Sequence, residues 1–141
     1  MPAADPLPAW LDAVGLEREA ADGGWAVRVP STKRGPVVAV LRLGERTLTA
    51  RAFICRAPDR RRDEVYARLL RKNLSLRGWR FAVDDHGDVY LAADAPLAAL
   101  DGDALDGLLG ALATAVDETY EGLVRTGFDV PEGTEFRPPP G

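Results

Sequence analysis

The chain has one cysteine, Cys55, and one histidine, His86. A lone cysteine closes no internal disulfide, so the fold calls for no oxidising compartment. A lone histidine excludes a histidine pair. No window approaches the roughly 18 consecutive apolar residues that a membrane-spanning helix needs. Residues 1–10 hold no Lys or Arg and no long apolar run, so they do not read as a secretory leader. No glycine-rich phosphate loop is present. Gly107 and Gly110 fall inside a helical pattern, where helix packing accounts for them. The location these absences imply is the cytoplasm, with no membrane partner.

Positive charge is missing from a long stretch: no Lys or Arg occurs from Phe81 to Val124. Residues 1–80 hold 16 basic and 9 acidic groups, a net of +7, while residues 81–141 hold 2 basic and 13 acidic groups, a net of −11. Two regions of opposite sign pair with each other or steer a charged partner. The total of −4 argues against a general nucleic-acid binder, whose whole domain is usually basic. At 141 residues, with 46% hydrophobic and 28% charged residues, the composition is that of a single globular domain.

Hydrophobic spacing then divides the chain. Residues 9–14 read as a short helix with Trp10, Leu11 and Val14 on its apolar face and Gly15 as its stop. Leu16 to Ala20 carry a weak strand pattern. Trp25, Val27 and Val29 alternate along a half-buried strand. Val37 to Leu43 is apolar on both faces until Arg42, which suits a central strand. Gly44-Glu45 turns the chain into a third strand, Arg46 to Cys55. There Leu48, Ala50, Ala52 and Ile54 face one way; Thr47, Thr49, Arg51, Phe53 and Cys55 face the other. Asp59 suits a helix N-cap, and Val65, Tyr66, Leu69, Leu70 and Leu74 recur at helical spacing to about Leu74. Trp79 to Val83 and Asp88 to Ala93 are two more strands. Asp101 or Asp103 opens a last helix running to about Thr126, striped by Leu105, Leu108, Leu109, Leu112, Val116, Tyr120, Leu123 and Val124. Gly127 and Phe128 read as its C-terminal cap. Residues 129–141 read as a flexible Pro-rich tail after a single domain over 1–128. The expected fold is therefore α+β: an antiparallel five-stranded sheet with helices packed on one face, in the order α-β-β-β-α-β-β-α.

Few residues invite chemistry. Asp84-Asp85-His86-Gly87-Asp88 has the side chains of a divalent-metal site. The same residues are what a hairpin turn demands, and the distal Glu of a calcium loop is missing. The turn is the stronger reading, and a small metal-dependent enzyme at Asp84–Asp88 is the alternative. Cys55 reads as a small buried hydrophobe, since no histidine lies near it in sequence to activate it. The acids of the last helix, among them Asp106, Asp117, Glu118 and Glu121, read as its solvated face. A basic cluster stands out: Arg56, Arg60, Arg61, Arg62, Arg68, Arg71 and Lys72. Three arginines in the first turn of a helix would oppose its macrodipole. Such a placement suggests a partner rich in carboxylates, against the plainer reading that these cations are solvated or paired with the last helix.

Several runs resemble the YbjN-domain family in its actinobacterial branch. They are Gly44-Glu45-Arg46-Thr47-Leu48, Ala52-Phe53-Ile54-Cys55-Arg56-Ala57-Pro58-Asp59, Val65 to Asn73, Phe81-Ala82-Val83-Asp84, Gly87-Asp88-Val89-Tyr90-Leu91 and Pro96-Leu97. The resemblance covers about residues 10–128 and implies a type III secretion chaperone-like fold. It implies no enzymatic activity, no cofactor and no catalytic residue to carry over. It implies a chaperone-like or regulatory protein-binding module, with homodimers formed through the 60–74 helix. The triplet Arg60-Arg61-Arg62 and the tail depart from the family pattern. An acidic protein segment is the expected partner, and nucleic acid is not.

Overall fold

The computed structural model describes residues 5–128. The expected tail over 129–141 lies outside the described residues. The elements are α1 (Leu7–Val14), β1 (Arg18–Ala21), β2 (Gly24–Val29), β3 (Val37–Leu43), β4 (Thr47–Cys55), α2 (Arg62–Lys72), β5 (Arg80–Val83), β6 (Val89–Pro96) and α3 (Gly102–Gly127). The sheet is antiparallel throughout, in the order β1-β2-β3-β4-β6-β5.

The sheet thus has six strands among the described residues, not the five expected. The extra strand is the weak pattern after Gly15, shifted to Arg18–Ala21. Asp22-Gly23 joins it to β2 as a two-residue hairpin, with Ala21 opposite Gly24 and Gly23 at φ 76°. Asp-Gly between two runs is a strong hairpin signal, and it was legible. The alternation around it was not, because Glu19 and Ala20 are both exposed on a short edge strand.

Alternation places Val27, Val29, Val37, Ala39, Leu41, Leu48, Ala50, Ala52, Ile54 and Leu91 on one buried face. α3 covers that face with Leu105, Leu109, Leu112, Val116, Tyr120 and Val124. Asp101 opens α3 by accepting the Ala104 N–H at 2.8 Å. α1 joins the same layer through Leu7 and Leu11, and Gly15 at φ 77° ends it while its N–H bonds to the Leu11 carbonyl. Trp79 precedes β5 rather than forming part of it; it is buried and donates its indole N–H to the Leu108 carbonyl at 2.8 Å. Val83 is 44% exposed at the corner where β5 enters the Asp84 turn.

Two further corrections have clear causes. Cys55 was expected on the face opposite Ile54, yet both are buried. A bulge between Phe53 and Cys55 shifts the register against β6 and turns Cys55 inward. The Arg34 Nε–H takes up the Ile54 carbonyl at 2.8 Å. The start of α2 also differs. Asp59 is not its N-cap; Arg61 is, in the left-handed region at φ 50°, ψ 39°. Asp59 is held elsewhere, because its N–H and that of Arg60 both bond to the Gly127 carbonyl at 2.8 and 3.1 Å. That carbonyl is one of those left unpaired at a helix C-terminus, so the loop before α2 caps α3. Gly127 is itself helical rather than a left-handed cap. A Cβ there would stand 2.9 Å from the Pro58 Cβ and 3.1 Å from a Val65 methyl, so close packing sets its identity.

The stripe on α3 is the main apolar cover of the sheet, and Leu112 is fully buried near its middle. Leu112→Ala is expected to cost about 2–5 kcal/mol through lost transfer energy and the cavity left behind. Chemical denaturation reads this directly, and a change below about 0.5 kcal/mol would take the helix out of the core.

Candidate functional site

The basic cluster does not form one surface. The Arg56 guanidinium makes a two-pronged bond to Asp59 at 2.6 and 3.1 Å and lies 4.6 Å from the centre of the Phe128 ring. That pair holds the Arg56 guanidinium above and the Asp59 carboxyl below their ordinary pKa values, chiefly through the shared hydrogen bond. Arg62 donates to the Pro58 carbonyl at 2.7 Å, and Arg60 reaches the Arg125 carbonyl at 3.5 Å. These three arginines fasten the loop before α2 to itself and to the end of α3. The first turn of α2 holds Asp63 and Glu64, so the macrodipole is met by carboxylates. The expected electrostatic cost of three arginines in that turn therefore does not arise.

The rest of the cluster lies along α2 toward α3. Arg68 donates to the Thr126 hydroxyl at 2.7 Å, and Lys72 pairs with Glu118 at 2.8 Å. Arg61 and Arg71 are exposed. Of the acids on α3, Glu118 meets Lys72, Glu121 meets Lys33 and Arg125, and Asp117 accepts the N–H groups of Thr32 and Lys33. The plain reading, cations paired with the last helix, thus accounts for Lys72. Between the two helices is a cleft of about 160 Å³ lined by Val65, Arg68, Leu69, Lys72, Thr119, Leu123 and their neighbours.

The Asp84–Asp88 segment is a turn in which the carboxylates serve backbone donors. Asp84 accepts the N–H groups of His86 and Asp88, and Asp88 accepts the Ala57 N–H at 2.8 Å. Gly87 takes φ 85°, and its carbonyl receives the Tyr66 hydroxyl at 2.8 Å. Among the described residues no group of three or more His, Cys, Asp or Glu side chains is placed to hold a metal ion.

An exposed sheet face or edge is a partner surface the sequence reading allows, but that reading names no residue of the outer face as a candidate. All three α-helices lie on the inner face, so among the described residues the outer one has no covering layer. Register aligns Ala26, Val40, Arg51, Ala92 and Arg80 in one row across the strands. Arg28, Val38, Phe53, Tyr90 and Ala82 lie in the next. Phe53 and Tyr90 meet edge to face at 5.6 Å. Arg42 and Thr49 lie on the same face, and Arg80 pairs with Asp94 at 3.0 Å. The signal was present in Val38 and Val40, which suited a central strand apolar on both faces, and in Phe53, which alternation places beside Thr49 and Arg51.

One edge of this sheet is partly capped. The Asn73 side chain donates to the Phe81 carbonyl at 3.3 Å and accepts the Phe81 N–H at 2.7 Å, filling the outward bonds of Phe81 on β5. At the other edge, β1 is only four residues long.

The family model for YbjN, described as "Putative bacterial sensory transduction regulator", matches residues 3–125. The chain belongs to the YbjN family. Uncharacterized proteins of Mycobacterium tuberculosis and Mycobacterium leprae are 36% and 35% identical to it over 102 residues, 72% of this chain. The match spans little more than half the length of those relatives, 56% and 55%. The fold resembles the crystal structure of YbjN from E. coli, with TM-score 0.63 and 17% identity over 84% of this chain and 92% of that one. It also resembles the Yersinia pestis type III secretion chaperone SycH, solved with a fragment of YscM2, at TM-score 0.57 and 24% identity over 80% and 95%. A chain of the heterodimeric ExoU–SpcU complex of Pseudomonas aeruginosa gives TM-score 0.55 and 24% identity over 83% and 93%. The likeness in fold to type III secretion chaperones is thus a finding. No helix among the described residues of this YbjN-family chain is long and apolar enough to cross a membrane.

Burial pushes the Cys55 thiol up from 9.0 to about 12, with Arg34 opposing the shift. Desolvation also raises the Tyr66, Tyr90 and Tyr120 hydroxyls above 10.0. All four groups are neutral when folded, so their contribution to stability is complete below the unfolded value. For Cys55 it is lost as pH rises from 9.0 toward about 12. Denaturation midpoints should therefore fall across that window. Thiol labelling at pH 8 should be slow when folded and fast in denaturant; rapid labelling of the folded chain would place Cys55 at the surface.

Proposed function

We propose that this chain is a non-enzymatic, chaperone-like or regulatory protein-binding module. It takes an acidic segment of a partner protein across the outer face of its sheet. The observation that carries the reading is the uncovered row Val38–Phe53–Tyr90, flanked by Arg28, Arg51 and Arg80. A single-layer cover leaves apolar area in water that a partner would remove, at roughly 25 cal/mol per Å². Guanidinium groups around it suit carboxylates, which they capture in two-pronged geometry. An amphipathic segment with apolar residues toward the sheet and acids at its margins meets both features. The chaperone SycH and the ExoU–SpcU complex support the reading, as proteins of similar fold that were solved with protein partners.

The cations of the sequence-read cluster belong to the same reading as a second contact. Arg61 and Arg71 are exposed at α2, and Arg56, Arg60, Arg62, Arg68 and Lys72 are engaged in the contacts described above. The cytoplasm, where free thiols persist, is the compartment this proposal assigns.

The test is affinity capture from host lysate followed by mass spectrometry, comparing the native chain with two variants. Val38→Asp with Arg51→Glu should lower recovery of the captured partner at least tenfold and leave the melting temperature within a few degrees, since both sites are on the surface. Arg61→Gln with Arg71→Gln should lower it less. Unchanged recovery from both variants would remove the reading.

Self-association through α2 is part of the proposal. Leu70 and Leu74, one turn apart, are 68% and 90% exposed. A dimer through them would double the 15.2 kDa chain mass in light scattering at micromolar concentration, and Leu74→Glu would restore the single mass. A single mass for the native chain excludes this dimer.

A further inference from the structure

α2 is lightly held. It buries two of its eleven residues, Val65 and Leu69, where α3 buries ten of twenty-six. Leu70 and Leu74 stand largely in solvent. The cleft between α2 and α3 forfeits contacts that a closely packed helix pair would make. In it the Thr119 hydroxyl oxygen is buried with no hydrogen-bond partner among the described residues, which is unfavourable in the docked arrangement. The first turn of α2 has no side-chain cap. Arg61 before it is the one non-glycine residue at positive φ among the described residues, a conformation that a Cβ disfavours.

The segment that carries α2 hangs between two fixed points on α3. Before it, the N–H groups of Asp59 and Arg60 bond to the Gly127 carbonyl. After it, the buried Trp79 donates its indole N–H to the Leu108 carbonyl. Gly78 adjoins that second point at φ 79°. Between the two points, Tyr66 and Leu76 add half-buried packing. The other ties are polar contacts of single side chains: Tyr66 to the Gly87 carbonyl, Arg68 to Thr126, Lys72 to Glu118 and Asn73 to Phe81. A segment with few buried apolar contacts opens at a lower free energy than the core of its fold. Asn73 makes the opening consequential. It closes α2 in sequence, yet its side chain fills both outward pairing groups of Phe81 on β5.

We infer that residues 61–78 form a strap that opens as one unit while the sheet and α3 stay folded, and that its opening uncovers the β5 edge. Closed, the strap keeps the N–H and carbonyl of Phe81 engaged. Open, it leaves them as a free donor and acceptor on an edge strand, the groups with which a further strand pairs. Arg61 and Gly78 lie at its two ends, so the backbone change is taken up beside the fixed points and not within β5. Docking of α2 therefore governs whether this edge can pair. The device uses neither the outer sheet face nor its arginines, so it does not rest on the proposed function.

Native-state hydrogen exchange of the full chain, read residue by residue by NMR, tests it. The amides of Leu69 and Phe81 should share one opening constant, at least tenfold larger than that of Leu41 and Leu91, and should respond weakly and equally to added denaturant. Leu69→Ala should then speed both by one factor. If Phe81 exchanges only with Leu41 and Leu91, the strap does not open separately and the inference falls. If Phe81 exchanges faster than Leu69, or keeps its native rate in Leu69→Ala, Asn73 lets go without α2, and the coupling that defines the strap is absent. Measurement on the native chain alone decides between the first two outcomes, so the inference stays open to refutation even if the variant does not fold.

Discussion

Burial of one long helix against one face of one sheet is the constraint that organises this molecule. α3 has 26 residues, about 39 Å of helix. It lends its apolar stripe to the sheet, a carbonyl to Trp79, carboxylates to the 31–36 turn and to α2, and its last carbonyl to the loop before α2. Two of the five segments between strands, residues 30–36 and the connection that carries α2, are tied to α3 along its length. The layer it forms with α1 and α2 is single. Whatever lies on the far side of the sheet has to come from outside the described residues.

The separation of charge along the chain follows from that arrangement. The basic half supplies β1 to β4 and α2, and the acidic half supplies β6 and α3. Each meets the other at a few exposed contacts: Lys72 with Glu118, Lys33 with Glu121, Arg80 with Asp94. Exposed pairs of this kind stabilise by about 0–1 kcal/mol each, so they orient segments more than they hold the fold. The holding is done by apolar burial and by backbone groups with fixed partners, of which the Gly127 carbonyl is the clearest case.

Period and punctuation in the sequence were enough to find α1, α3 and five of the strands, because each buries one face and so writes alternation or a helical stripe into its residues. They were not enough for β1, which buries too little to show a pattern, although Asp22-Gly23 announced its turn. Nor could they locate the bulge at Phe53–Cys55, beside which Arg34 takes up the Ile54 carbonyl from twenty residues away. The start of α2 was misread for a related reason. Asp59 is a good cap by residue type, but Arg56 and Gly127 claim its side chain and its N–H first. The candidate site was half legible. Residue types showed the arginines and alternation set Phe53 beside Arg51, while only the fold showed that Arg56, Arg60 and Arg62 are fasteners and that the face carrying Val38 and Phe53 is uncovered among the described residues. Family membership, by contrast, was legible in short runs, since those runs are where turn geometry and core packing leave little choice of residue.

The bracket that Asn73 places on Phe81 bears on how such a sheet could grow. A side-chain amide there imitates a neighbouring strand, offering one donor and one acceptor where a further chain would pair. Among the described residues the other margin is β1, only four residues long. A strand arriving beside β5 finds the pairing groups of Phe81 already engaged, so one asparagine blunts an edge that would otherwise offer them as a template for further strands.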